Sequence, residues 1–349
     1  LSRIFFAMNA ATPMLLDAPP RWLPGGHLQT LVPAWWGRRK PADVVWQRER
    51  WDTPDGDFVD VDWVPQQGVR TPNTPLVVLF HGLEGSSDSH YAKAMATWLH
   101  AHGWGFGVIH FRGCSGELNR APRAYHSGDV EEVQWMLERV RQRHPGRQVV
   151  AVGVSLGGNA LMRWAGLSGH GAARWVDAAI AVSAPLDLTV CGDALSQGFN
   201  RRVYTPLFLQ TMLPKARAKW AQHPGLFDLN RLSSCRTLFE FDDVFTAPVH
   251  GFGTAPRYWR EASAKPVLGA IALPTLVMNA VNDPFVPGHC LPRAHEVSSS
   301  VTLWQPRRGG HVGFPVADPN VGRGRLTGAM PQAVFSWVAR TLGVGLENT

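Results

Sequence analysis

Three residues able to pass one proton along a line stand at Ser155, Asp283 and His311, each just beyond a segment that reads as a β-strand. Ser155 is the centre of Gly153-Val154-Ser155-Leu156-Gly157. The apolar, β-branched run 148–152 precedes this pentapeptide, and 158–165 reads as the helix after it. A serine on a tight strand-to-helix turn is held in a strained conformation that lifts its hydroxyl clear of the sheet. A Cβ at 153 or 157 would crowd that turn. The helix N-terminus also brings unpaired N–H groups and a positive dipole end beside the hydroxyl. Such a hydroxyl becomes a nucleophile only when a base takes its proton and an acid orients the base.

Asp283 lies in Val281-Asn282-Asp283-Pro284, past the strand-like run 274–280. His311 lies in Gly309-Gly310-His311-Val312-Gly313, past 301–304. Taken singly, Asp283 reads equally well as an Asp-Pro turn opener, and His311 as an exposed loop histidine. Their joint order behind Ser155, each at a strand C-terminus, favours a nucleophile–acid–base set in the order used by α/β-hydrolases. A further apolar run, 76–80, ends in His81-Gly82-Leu83-Glu84-Gly85. In that fold the loop after the third strand and the residue after the nucleophile supply the oxyanion N–H groups, which fall here on Leu83 and Leu156. His81 precedes the serine in a His-Gly turn and reads as shaping the loop.

These blocks resemble the AB hydrolase family 4 group of α/β-hydrolases, the bacterial YheT-like proteins and their eukaryotic relatives. The matching stretches are GHLQT from Gly26, HGLEGSSDSHY from His81, FRGCSGELNRAPRAYHSGD from Phe111 and GVSLGGNAL from Gly153. They continue with SAPLDL from Ser183, FDDVFTAPVHGF from Phe241, NAVNDPFVP from Asn279 and GGHVGF from Gly309, spanning about residues 22 to 315. The resemblance implies an α/β-hydrolase with a helical cap and carboxylic-ester hydrolase activity. It places the nucleophile on Ser155, the acid on Asp283 and the base on His311.

The elements that must position these residues alternate along the chain. Strands are expected near 43–51, 57–64, 75–80, 104–110, 147–154, 176–183, 274–280 and 300–305. Helices are expected near 88–102, 127–143, 157–168, 288–296 and 328–342. Such alternation predicts an α/β fold with a mainly parallel eight-stranded sheet, helices on both faces and a helical cap inserted after strand 6. The expected organisation is an N-terminal arm over 1–40, a core of 41–184 and 265–349, and the cap over 185–264. Short helices broken by Pro and Gly are expected in the cap. Of its aromatic and Met residues, Phe208 and Met212 are the chosen pocket pair, because i, i+4 spacing puts them on one helix face. Arg112, Asn119, Arg123, Tyr125 and His126 read as braces of a long loop rather than as substrate ligands.

Composition bounds the partners. The net charge is +7, yet the 34 basic residues (29 of them Arg) are spread along the chain, so nucleic acid is not expected as a partner. The densest basic run, Arg139 to Arg147, reads as a solvated helix face. Four cysteines without paired spacing suggest neither disulfides nor zinc, and Cys114 reads as packing. Reduced thiols fit a cytoplasmic location. No apolar run is long enough to span a bilayer, though peripheral membrane contact stays open. Residues 1–16 make a poor secretory signal, and Met8 reads as an alternative start. The expected enzyme needs no metal or cofactor and acts on a small-molecule or lipid ester with an apolar acyl chain. Acyltransferase or thioesterase chemistry with the same residues, or a silent binding scaffold, are the alternatives.

Overall fold

A computed structural model describes residues 18–39, 44–65, 74–318 and 321–346; Met8 and the signal-like segment lie outside them. Eight strands form one sheet: β1 (Gln47–Asp52), β2 (Phe58–Val64), β3 (Leu76–Phe80), β4 (Gly105–Ile109), β5 (Val149–Val154), β6 (Ala178–Val182), β7 (Thr275–Met278) and β8 (Val301–Trp304). Their spatial order is β1-β2-β4-β3-β5-β6-β7-β8. β2 pairs antiparallel with β1 and β4, and the remaining pairs are parallel. This is the α/β-hydrolase fold, as the strand–helix alternation predicts.

The sheet is buried on both faces, so its central strands carry apolar side chains at every position rather than alternate ones. Val77 and Leu79 of β3 face helix α2 (His90–Ala101), where they meet Met95 and Leu99. Leu76, Val78 and Phe80 point the other way, into the cluster that holds Met136 and Val140 of α3 (Val130–Arg143) and Leu161 and Trp164 of α4 (Leu156–Ser168). The period-two alternation of a strand thus feeds two separate cores from one run.

Five features depart from what the sequence predicts. Residues 25–39, expected only as part of an arm, form helix α1 (Gly25–Arg39), and a hairpin of β9 (Val316–Asp318) and β10 (Val321–Arg325) follows the His311 loop. The helix expected over 288–296 is instead two short 3-10 turns, Gly288–Cys290 and Ala294–Glu296. Pro292 lies between them and cannot donate an intrahelical hydrogen bond. Between β6 and β7 run α5 (Leu188–Leu195) and α6 (Gly198–Gln222), then the short helices Leu229–Ser234, Leu238–Phe241 and Ala247–Val249, and finally α7 (Ala255–Ala262). The last helix of the described residues is α8 (Ala329–Leu342).

Helix α6 was expected to break at proline, yet it runs through both Pro206 and Pro214. Each proline leaves one carbonyl without its donor, those of Arg202 and Gln210. Both prolines and both carbonyl-bearing residues lie on the exposed face, where water can satisfy the freed oxygens. The opposite face buries Leu209, Met212 and Ala216 in a cluster with Phe227, Leu238 and Phe245, and that packing outweighs local propensity.

The basic run 139–147 is not a free solvated face. Arg141 bonds Asp177 at 2.9 Å, and Arg143 pairs with Glu49. Arg147 donates to the carbonyls of Thr74 and Pro75 at 2.9 and 3.2 Å. Arg143 ties α3 to the edge strand β1, Arg141 ties it to the segment entering β6, and Arg147 holds the segment entering β3. No helix of the described residues is long and apolar enough to cross a membrane.

Candidate active site

The turn after β5 is tight for a reason visible atom by atom. Ser155 has φ +52° and ψ −121°, a strained combination for a residue with a Cβ. The glycines around it permit the turn, since a Cβ on Gly157 would lie 2.3 Å from the Phe80 carbonyl oxygen and one on Gly153 2.4 Å from that of Gly157. Helix α4 starts immediately, with Gly158 N–H and Asn159 N–H donating to Ser155 O at 2.9 and 3.1 Å. Buried Asn159 then locks the helix to what surrounds it. Its Nδ2 donates to Ser127 O and Ala262 O, and its Oδ1 accepts from Ala264 N–H.

Ser155, His311 and Asp283 come together in one hydrogen-bonded line. The Ser155 Oγ lies 3.0 Å from His311 Nε2, and His311 Nδ1 lies 2.8 Å from Asp283 Oδ2. The Asp283 side chain is fully buried. Its other oxygen accepts the N–H groups of Phe285 and Val286 at 2.8 and 3.2 Å. Asp283 therefore opens a turn and holds the imidazole at once, so the two readings of this residue are compatible. With Nδ1–H donated to a carboxylate, Nε2 is left as the acceptor facing the serine.

The His311 loop is held by residues the sequence reading did not single out. His311 N–H donates to Thr30 Oγ1 at 2.8 Å, and Val312 N–H to Ser183 Oγ at 3.0 Å. Gln29 Oε1 accepts from Gly309 N–H at 3.0 Å and from Asn282 Nδ2 at 2.9 Å, while Asn282 Oδ1 accepts from Gly310 N–H at 3.1 Å. Gln29 Nε2 in turn bonds the Leu23 carbonyl. The approach is so close that a Cβ on Gly313 would sit 1.8 Å from Gln29 O, and one on Gly26 1.9 Å from Asn282 O. The available signal was the GHLQT block, which matched the family pattern but carried no assigned role.

Beside the serine, the amides of Leu83 and Leu156 have no partner among the described residues. Leu83 stands in a turn closed by Gly85 N–H donating to Gly82 O at 2.9 Å. Leu156 is the first residue of α4, whose first-turn N–H groups have no intrahelical acceptor. His81 is buried and holds this loop: its Nε2 accepts from Phe111 N–H at 3.0 Å and its Nδ1 donates to Gly82 O at 2.8 Å. Burial pushes its pKa down to about 3, which keeps it neutral in that double role.

A cavity of about 150 Å³ opens over Ser155 and His311. Its walls are mainly apolar and include Leu156, Leu188, Leu195, Leu238, Phe241, Phe245, Trp259 and Phe285. Phe208 and Met212 line it together, on the inner face of α6. Four further aromatic residues between β6 and β7, Phe199, Tyr204, Phe227 and Phe252, do not line it.

The 111–129 loop is braced by buried polar contacts to α3 and to Asp57 beside β2. Arg112 bonds Glu132 at 2.5 Å and Asp57 at 2.8 Å. Asn119 Nδ2 donates to Asp57 at 2.7 Å, and Arg123 pairs with Asp129. His110 is engaged by Asp62 at 3.0 Å. Cys114 is buried, and burial pushes its thiol up to about 12, so it is no thiolate nucleophile at neutral pH.

A fold of this topology with a serine on its strand–helix turn defines a class, and a family model described as the alpha/beta hydrolase fold matches residues 75–318. The chain belongs to the α/β-hydrolase family. Within it, 298 residues are 40% identical to the protein named "Putative esterase YheT" of Escherichia coli (strain K12), covering 85% of this chain and 86% of that protein. The chain is thus a YheT-like carboxylic ester hydrolase. Human Phospholipase ABHD3 is 27% identical over 305 residues, which are 85% of this chain and 73% of the relative. The Monoacylglycerol lipase of Saccharomyces cerevisiae is 27% identical over 248 residues, 69% of this chain and 55% of the relative. Among solved structures, the Pyrococcus furiosus esterase Pf2001 shares the fold, with a TM-score of 0.52 at 15% identity over 86% of this chain and 93% of that one.

Proposed function

We propose that the protein hydrolyses esters with an apolar acyl chain through a Ser155–His311–Asp283 triad and an acyl-enzyme. The observation that carries this is the unbroken line from Ser155 Oγ through His311 to Asp283, at 3.0 and 2.8 Å. His311 Nε2 takes the serine proton as Oγ attacks the ester carbonyl, forming a tetrahedral oxyanion. The Leu83 and Leu156 N–H groups stabilise that oxyanion. His311 then returns the proton to the leaving alkoxide, and the alcohol departs from the acylated serine. A water, deprotonated by the same nitrogen, attacks the acyl carbonyl and regenerates Ser155. Asp283 fixes the imidazole tautomer and stabilises its cationic form.

The apolar walls around Phe208 and Met212 support an acyl chain as the group bound there. On this reading the segment 185–264 acts as the cap over the core of 41–184 and 265–349, with 1–40 as the arm. The four cysteines are buried and free, which supports the reducing environment of a cytoplasmic protein. A panel of p-nitrophenyl esters from acetate to palmitate, assayed with wild type and Ser155→Ala, tests the proposal. Turnover that peaks at an intermediate or long chain and vanishes in the variant is expected. Hydrolysis of none of the esters by the wild type would count against it.

A further inference from the structure

The turn that carries the Leu83 amide has an unusual occupant. Gly82 O accepts from Gly85 N–H, so Glu84 is the third residue of a four-residue turn, and its φ is +56°. A positive φ at that position is ordinarily supplied by glycine or asparagine, because a Cβ there is strained. Glutamate at such a position calls for a compensating interaction. Its side chain is largely buried and is bound from two directions. Tyr125 Oη donates to Glu84 Oε1 at 2.9 Å and accepts the Glu84 backbone N–H at 3.0 Å, closing a ring around the residue. Tyr125 is itself fixed by stacking on Phe111 at 5.5 Å with 9° between the planes. From α6, Lys215 Nζ reaches Glu84 Oε2 at 2.9 Å, and all three polar residues face the cavity over Ser155.

We propose that Glu84 is a positioning residue for the oxyanion hole, held by Tyr125 from the core and by Lys215 from α6. The inference rests on the oxyanion role assigned to Leu83. Two physical effects combine here. Clamping Glu84 at both its backbone N–H and its carboxylate fixes the plane of the Leu83–Glu84 peptide, and with it the turn that aims the Leu83 N–H. The carboxylate also sits one residue from the amide where negative charge develops, in an apolar cavity where unscreened charge is costly. Lys215 neutralises it, so α6 must be seated for the oxyanion hole to work. The assembly has no contact with Ser155, His311 or Asp283 in this scheme. It acts on the transition state through Leu83.

Three variants separate this from ordinary packing. Glu84→Gly keeps the turn and relieves its backbone strain while deleting the carboxylate half of the clamp, and it is expected to lower kcat about tenfold with KM within about twofold. Lys215→Met leaves an uncompensated carboxylate beside the oxyanion and should also lower kcat. The double variant Lys215→Met/Glu84→Gln removes that charge, keeps an acceptor for Tyr125, and should recover activity above Lys215→Met alone. Melting temperatures of each variant separate misfolding from lost catalysis. Wild-type kcat in folded Glu84→Gly, or a double variant no better than Lys215→Met, overturns the inference. Ser155→Ala assayed beside them distinguishes the levels. If it abolishes turnover while Glu84→Gly is unaffected, this inference alone fails; turnover surviving in Ser155→Ala sinks the triad reading with it.

Discussion

His311 N–H donates to the Thr30 hydroxyl at 2.8 Å across 281 positions of sequence, so the backbone of the proposed base is anchored by the first helix of the described chain. Gln29, the neighbouring residue, bridges Gly309 and Asn282, and thereby joins the loops that carry His311 and Asp283. An N-terminal element outside the core sheet thus sets the distance between base and acid.

The anchor can be tested directly. Thr30→Val keeps the shape but deletes the acceptor for a buried N–H, which typically costs about 1–3 kcal/mol locally. Loss of kcat by about tenfold, with the acyl-chain preference unchanged, is expected from a small displacement of the imidazole. Steady-state kinetics on a single ester checks this; a Thr30→Val enzyme with wild-type kcat would show that the Thr30 hydroxyl has no part in positioning His311.

Asp283→Asn should reduce kcat by several orders of magnitude, about 10⁴ by analogy with the same substitution in serine proteases. The amide can donate rather than accept, which favours the wrong imidazole tautomer and removes the charge that supports imidazolium. Asp242→Asn and Asp243→Asn are expected to lose far less, because those carboxylates bond Trp259 and Thr246, and Arg231 and the Ala255 amide, rather than the imidazole. Comparing kcat/KM across the three variants decides it. Greater sensitivity at Asp242 or Asp243 would move the acid away from Asp283.

Asp242 offers a prediction about stability instead. Burial pushes its carboxyl up to about 6 against the usual aspartate range, despite hydrogen bonds from Thr246 and Trp259. The folded state therefore favours the protonated form. Ionisation costs nothing below the unfolded pKa near 4, costs progressively more as the pH rises to about 6, and is constant above it. Asp242→Asn removes that cost while keeping an acceptor, and it should stabilise the protein by about 1–3 kcal/mol at pH 8 but not at pH 4. Thermal melts at the two pH values test this. A lower melting temperature for the variant at pH 8 would mean that the charged form is the one the fold favours.

The pocket assignment predicts a change in selectivity. Met212 and Phe208 line the cavity from one face of α6, so Met212→Trp should shorten the room for an acyl chain. Each excluded methylene removes up to about 0.8 kcal/mol of binding. The ratio of kcat/KM for decanoate over butyrate esters should fall. Met212 also packs in the cluster with Phe227 and Phe245, so a lower melting temperature with an unchanged ratio would mean that its role is packing alone.

The sheet and the loops at its C-terminal edge were legible because the central strands β3, β5 and β6 are apolar throughout and each site residue follows a strand. Ser155 announced itself through glycines whose absence of Cβ the turn requires. Helix α1 was not legible: Gly25, Gly26, Pro33 and the tryptophans give it no amphipathic period, and its purpose lies in contacts hundreds of residues away. The continuity of α6 was hidden by Pro206 and Pro214, since nothing local says that the carbonyls they free face water. Arg141, Arg143 and Arg147 looked like a charged surface because their partners, at Asp177, Glu49 and the 74–75 backbone, are remote in sequence. Glu84 carried no local signal at all, because its meaning depends on a positive φ and on Lys215 from the segment between β6 and β7.

The central claim is that Ser155 is the residue acylated in turnover, and locating a covalent adduct tests it most directly. The enzyme would be treated with a fluorophosphonate, digested, and mapped by peptide mass spectrometry. The account predicts a single modified peptide carrying the phosphonyl group on Ser155, with parallel loss of esterase activity. Inactivation accompanied by labelling at another residue, with Ser155 unmodified, would contradict it.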